Sequence, residues 1–280
     1  MKIVFFTKDG FDANELFLYM YARVANLFPN CSIVAAKPNI ERQDVSARIR
    51  RYAKKMRRLG WLEALDVISS YPLQMYLSER QQRETSEKLR LLPRPPVTID
   101  HRAVRIVSTV NGPDAVETIR SLNPDILMQA GAGILRPQVF SLAKVACLNL
   151  HHGIAPLIRG MSSIHWALFE RRPEWIGSTV HEIDANIDTG NVLAYAPVKT
   201  RDPGEGYPSL FTRATREGVD QLLHVLSRLE SGERWKVPPM SGNSVYRSTM
   251  SGWKLAATAL RLNGEKRSRV VEVRRGNAVR

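Results

Sequence analysis

The chain has 280 residues, 44% of them hydrophobic, and a formal charge of +14 with a pI near 10.1. A chain of this size buries one sizeable core with room for an appendage, and its charge favours anionic partners (nucleic acid, phosphorylated small molecules, an acidic membrane) without choosing among them. The two cysteines, Cys31 and Cys147, form no CxxC pair and neighbour no His cluster, so metal and redox motifs are absent.

In chain order, Lys2–Phe6 is a β-branched and aromatic run that reads as a buried strand. Asn14–Phe28 carries apolar residues at helical spacing, and Ser32–Ala36 reads as a second strand. This is the opening of a doubly wound sheet, without the G-x-G-x-x-G dinucleotide fingerprint. Residues 41–92 differ in texture. Arg48, Arg50, Arg51, Lys54, Lys55, Arg57 and Arg58 crowd one helical stretch, followed by helices at Trp61–Tyr71 and through about Leu92. The segment reads as a helical insertion ended by Pro93, Pro95 and Pro96. Its basic run is a solvated face, a membrane-surface contact through 41–58, or a contact to an anionic substrate.

Strands are expected at Val104–Thr109, Asp125–Ala130, Val145–His151, Ser178–Ile183 and Val192–Val198. Helices are expected at Asp114–Leu122, after Gly160 through about Phe169, and at Tyr207–Leu229. Trp235–Pro239 reads as extended, and the tail from Lys254 is basic, its last dozen residues loosely ordered. The pattern predicts an α/β catalytic domain over 1–200 and a C-terminal helical extension over 201–280. The N-terminus lacks the features of a signal peptide, and no run nears the roughly 20 apolar residues of a membrane span, so a cytoplasmic setting is expected.

The chemistry concentrates in two segments. In Cys147–Gly153 (CLNLHHG), strand alternation puts Asn149 and His151 on one face about 6.5–7 Å apart, with Leu148 and Leu150 facing a core. A strand end of an open α/β sheet is where ligands usually bind. In Glu182–Leu193 (EIDANIDTGNVL), a strand feeds a loop carrying Asp184 and Asp188, with Gly190 free to take a positive φ. Asn, His and Asp together suit acyl transfer to an amine. Asn149 and His151 N–H groups can meet the developing oxyanion, while Asp188 holds the imidazole and accepts a proton. His181 reads as a hydrogen-bonded structural residue.

The motifs PDILMQAGAGILRP, NLHHGIAPLIRG and GSTVHEIDANIDTG, in this order, resemble the folate-dependent formyltransferase family. The resemblance covers about Asn111–Val198 well and the N-terminal strand–helix–strand loosely. It implies a Rossmann-like, open, mostly parallel sheet, catalytic Asn149, His151 and Asp188, and 10-formyltetrahydrofolate as co-substrate, with no metal. It places the folate between the backbone near Gly133, Ile134 and Leu135 and the loop bearing Ile183, Ala185 and Ile187. It also implies that Ala155-Pro156 stands where the family often has a cis bond. His152, Arg159 and Gly160 are candidate acceptor contacts. The expected acceptor is the amine of a small, phosphorylated molecule, an amino-sugar nucleotide foremost. Glycinamide ribonucleotide, methionyl-tRNA, hydrolysis of formyltetrahydrofolate and a non-catalytic basic adaptor are the alternatives. No stable nucleic-acid partner is expected, and a homo-oligomer stays open.

Overall fold

The computed structural model describes residues 1–37, 61–96 and 98–277, apart from the side chains of 61–64 and 269–277. The basic run Arg48–Arg58, with the membrane or substrate contact expected of 41–58, lies outside the described residues.

Nine strands are described: β1 (Ile3–Lys8), β2 (Cys31–Ala36), β3 (Arg105–Val107), β4 (Ile126–Gln129), β5 (Ala146–His151), β6 (Ile158–Gly160), β7 (Gly177–Glu182), β8 (Val192–Pro197) and β9 (Val245–Arg247). The helices are α1 (Glu15–Leu27), α2 (Trp61–Ser69), α3 (Tyr71–Arg90), α4 (Pro113–Leu122), the short α5 (Pro137–Phe140), α6 (Ser163–Glu170), α7 (Tyr207–Glu230) and α8 (Gly252–Asn277). Seven strands form one sheet in the order β3-β2-β1-β4-β5-β7-β8. The first five of these run parallel, β7 runs antiparallel to β5, and β8 runs antiparallel to β7. The expected mostly parallel α/β architecture is the observed one. β6 and β9 pair separately, in parallel.

Central strands covered on both faces must be apolar throughout, and β1 is. Ile3 and Phe5 enter a core shared with α1 and α7, whereas Val4 and Phe6 enter the opposite core under α4. Asn14 caps α1, its side-chain oxygen accepting from Leu16 N and Phe17 N at 3.1 and 3.3 Å. Val219, Leu222, Val225, Leu226 and Leu229 of α7 lie in the same cluster as β1 and β5. The expected division at residue 200 therefore passes between β8 and a helix that shares its core.

Two expectations are corrected in extent. β3 is only three residues long, because Arg105 and Ile106 are exposed at the sheet edge and little apolar area rewards a longer strand. The tail is helical as far as Asn277. α8 is anchored at its start, where Lys254 meets Asp66 at 2.6 Å and Gly252 N donates to Ser70 Oγ at 2.9 Å. The described part of the insertion is helical as expected, in α2 and α3, and α3 packs against α1, α7 and α8. Among the described residues, no helix is long and apolar enough to cross a membrane.

Candidate functional site

The C-terminal ends of β1, β4 and β5 meet at one edge of the sheet, and β5 delivers Asn149 and His151 there. Leu148 and Leu150 point into the main core while Cys147 enters the opposite one, so the alternation read from the sequence holds. Antiparallel pairing sets Asn149 opposite His181 and His151 opposite Thr179. The Ala155–Pro156 bond that follows is cis.

The β7–β8 loop brings Asp188 back over this edge. Asp184 and Asp188 have different work. Asp184 folds the loop, accepting from Asn186 N at 3.1 Å and Thr189 Oγ1 at 2.8 Å. Asp188 turns inward, its Oδ2 accepting from Gly160 N at 2.8 Å and lying 3.4 Å from His151 Nδ1. The positive φ expected at Gly190 belongs instead to Asp188, at 52°. Gly190 is needed for space, since a Cβ there would collide with the Glu182 carbonyl.

The structure adds His181 to the constellation. Its Nδ1 is 2.7 Å from the Glu182 carbonyl, which fixes a proton there. Its Nε2 lies 3.2 Å from Asn149 Nδ2 and 3.5 Å from Asp188 Oδ1. A neutral His181 accepts one Asn149 amide hydrogen and leaves the other free. Nothing in the local sequence separates His181 from a structural histidine; the β5–β7 register is the signal.

Burial pushes the Asp188 carboxyl up. His181 alongside, the nearby His151 and the Gly160 N–H outweigh burial and hold it down at about 2. Burial lowers the His151 pKa, and Asp188 only partly offsets it. His151 Nε2 is 3.2 Å from the Ile158 carbonyl and 3.4 Å from Ser163 Oγ. A neutral ring has one N–H and so serves either Asp188 or Ile158, but a protonated ring serves both. The expected free N–H of His151 is thus engaged within the protein in this state.

Of the candidate acceptor contacts, His152 and Gly160 line a cavity of about 220 Å³ beside Asn149 and His151. The His152 ring is stacked on Phe211, with centroids 4.1 Å apart, and bonded to Thr215 at 2.9 Å. Arg159 bonds Ser244 and the Ile187 carbonyl. Of the two expected folate walls, Leu135 is buried and Ile183 packs against the same cluster. Ile134 and Ile187 are exposed. Gly131 and Gly133 take φ of 91° and 104°, conformations glycine adopts freely.

Gly160 has φ 96°, and a Cβ there would meet the Arg247 carbonyl and the Tyr246 ring. Gly160→Ala is expected to lose about 1–3 kcal/mol and to loosen Asp188. Urea unfolding and a turnover assay check this together.

Residues 75–226, more than half of the chain, match the formyl transferase family, and the chain belongs to it. Similar curated proteins include the methionyl-tRNA formyltransferases of Geobacter metallireducens (32% identical over 124 residues, 44% of this chain and 39% of the relative) and Lachnospira eligens (33% over 132 residues, 47% and 41%). The chain thus spans less than half the length of these relatives. Similar solved structures include a sugar N-formyltransferase from a Shewanella species (TM-score 0.52, 14% identity, 94% of this chain and 88% of that one). Another is HypX from Aquifex aeolicus in complex with tetrahydrofolic acid (TM-score 0.53, 16% identity, 90% and 30%). At such identities the likeness is one of fold.

Proposed function

We propose that this protein transfers the formyl group of 10-formyltetrahydrofolate to the amine of a small acceptor, an amino-sugar nucleotide foremost. The observation that carries the reading is Asp188, ionised and set between His151 and His181 beside Asn149, in a chain of the formyl transferase family. The amine attacks the formyl carbon, and the carbonyl oxygen takes up negative charge. The free amide hydrogen of Asn149 is the donor for that oxygen. The attacking nitrogen must lose one proton and the departing folate nitrogen must gain one. Burial keeps His151 neutral at rest, while Asp188 and the Ile158 carbonyl both stand ready to accept from an imidazolium. His151 backed by Asp188 is therefore the group that holds the proton in transit. The C–N bond to folate then breaks, giving a formamide and tetrahydrofolate.

The folate is proposed to lie between Gly133–Leu135 and the loop of Ile183, Ala185 and Ile187, whose exposed Ile134 and Ile187 offer apolar contact to a flat heterocycle. A second reading, methionyl-tRNA as acceptor, is favoured by the curated relatives and by the charge of +14.

Incubation with 10-formyltetrahydrofolate and a panel of amines, including charged methionyl-tRNA and amino-sugar nucleotides, with products read by mass, tests the function. Formylation of none of them sinks it. Separately, 5-formyltetrahydrofolate at about 100 times its Kd should add roughly 2.7 kcal/mol of stability. An unchanged melting temperature at saturating folate contradicts the folate site.

A further inference from the structure

A cavity of about 540 Å³ adjoins the one at Asn149 and His151, roofed by α3 of the insertion and floored by the start of α1 and the loop after β1. It is more than twice the volume of the cavity at Asn149 and His151. Tyr207 and Phe211 line both. An aromatic column joins them. His165 stacks on Tyr207 at 3.7 Å, Tyr207 leans on Phe211 at 5.3 Å, and Phe211 stacks on His152 at 4.1 Å, next in sequence to His151.

The sequence of α3 sorts its charges away from this space. Glu79-Arg80, Arg83-Glu84 and Glu87-Lys88 alternate with uncharged Ser78, Gln81-Gln82, Thr85-Ser86 and Leu89. At helical spacing the uncharged positions form one stripe, and it is these residues that line the cavity. Among the described residues, no Lys, Arg, Asp or Glu lines it, in a protein of charge +14. Gln81 accepts from His165 Nε2 at 2.8 Å, which orients its amide N–H group outward from that bond. Burial lowers the His165 pKa to about 3, so this ring is also uncharged at neutral pH. Ser78, Gln82 and Ser86 have no hydrogen-bond partner in the protein among the described residues, so their polar groups are available to a ligand.

We infer that this cavity is the acceptor-specificity pocket, that α3 is its selecting element, and that it takes an uncharged, hydroxyl-bearing ring of the hexopyranose type. Hydroxyl and amide groups on α3 match the hydroxyls of such a ring. Tyr207 and Phe211, which line both cavities, offer apolar contact to its C–H face and lead its amine toward Asn149. Among the described residues no cation lines the cavity to meet a phosphate, so we place any phosphate of the acceptor outside it. The inference rests on the formyl-transfer reading for the direction of the amine, but its test does not require turnover.

The test is ligand-observed saturation-transfer NMR with two probes: the methyl glycoside of a 4-formamido-4-deoxyhexose, the uncharged product form, and the same glycoside carrying a phosphomonoester. The neutral glycoside should bind with a Kd of about 1 mM, in the range of a small fragment, and the phosphorylated one should bind no more tightly. Gln82→Ala should raise the Kd by roughly 3–10-fold, the worth of one hydrogen bond. Ser86→Trp should abolish the signal by filling the cavity. Both variants should keep the wild-type melting temperature and its rise with 5-formyltetrahydrofolate. Tighter binding of the phosphorylated probe, full binding by Ser86→Trp, or no binding of the neutral glycoside overturns the inference. Glycoside binding without a folate shift overturns the formyl-transfer reading and leaves the pocket standing.

Discussion

Asp188→Asn is expected to lower kcat for formyl transfer by about 10²–10⁴-fold with little change in folate affinity. The substitution keeps the shape and the Gly160 N–H contact at 2.8 Å. It removes the charge that faces His151 at 3.4 Å and His181 at 3.5 Å. Without that charge, an imidazolium at His151 meets only uncharged acceptors such as the Ile158 carbonyl and Ser163 Oγ, in a buried place that already disfavours it. His151→Ala should cost a comparable factor, and Asn149→Ala about 10²–10³, the usual loss for one oxyanion donor. His151→Ala/Asp188→Asn should be little worse than the poorer single variant, since residues acting as a unit lose activity non-additively. His181→Ala is expected to sit between these and wild type, because it releases Asn149 and one side of Asp188 without touching the proton path. Purified variants with wild-type melting curves decide the matter. Near-wild-type turnover in Asp188→Asn sinks the proton-holding pair.

Much of this site is legible in the sequence because it depends on short-range geometry. The alternation of Cys147–His151 fixes which side chains share a face, and β1 reads as central because Ile3–Phe6 is apolar on both faces. The described part of the insertion, α2 and α3, is legible as helix from its spacing and from the prolines that end it. What is not legible depends on register and on space. His181 joins the site only because β7 pairs antiparallel with β5 and sets it opposite Asn149. The division of labour between Asp184 and Asp188 follows from Thr189 and Asn186 bonding the first and Gly160, from another strand, bonding the second. Gly190 invites a reading of positive φ, whereas its cause is the neighbouring Glu182 carbonyl. The α3 stripe is visible in the sequence as alternating charged and uncharged pairs, but its meaning emerges only when α3 lies over α1 and α7.

Stability is expected to fall steeply as pH drops from about 6.5 towards 5, with imidazoles rather than carboxylates as the cause. Burial lowers the pKa of His152 and of His165 to about 3, and lowers that of His151 as well. In the unfolded chain each titrates near 6.5. Between those values the unfolded state binds protons that the folded state refuses, so stability is full above about 6.5 and declines as pH falls through the window towards 3. Asp188, held at about 2, adds its own loss only below the unfolded Asp value of about 3.9. Each buried imidazole contributes at most about 1.4 kcal/mol per pH unit. His152 and His165 both border cavities, and water there trims that figure. Even at half strength, the two together remove about 2 kcal/mol between pH 6.5 and 5, a sizeable part of the usual 5–15 kcal/mol. The measurement is a set of urea unfolding curves at closely spaced pH values from 7.5 to 5, with the proton uptake on unfolding taken from the slope. His165→Gln should flatten that slope by up to one proton, even though it loses the stack on Tyr207 and is less stable at pH 7.5. A stability that is level from pH 7 to 5, or a slope that His165→Gln leaves untouched, contradicts the assignment of these rings as buried and neutral.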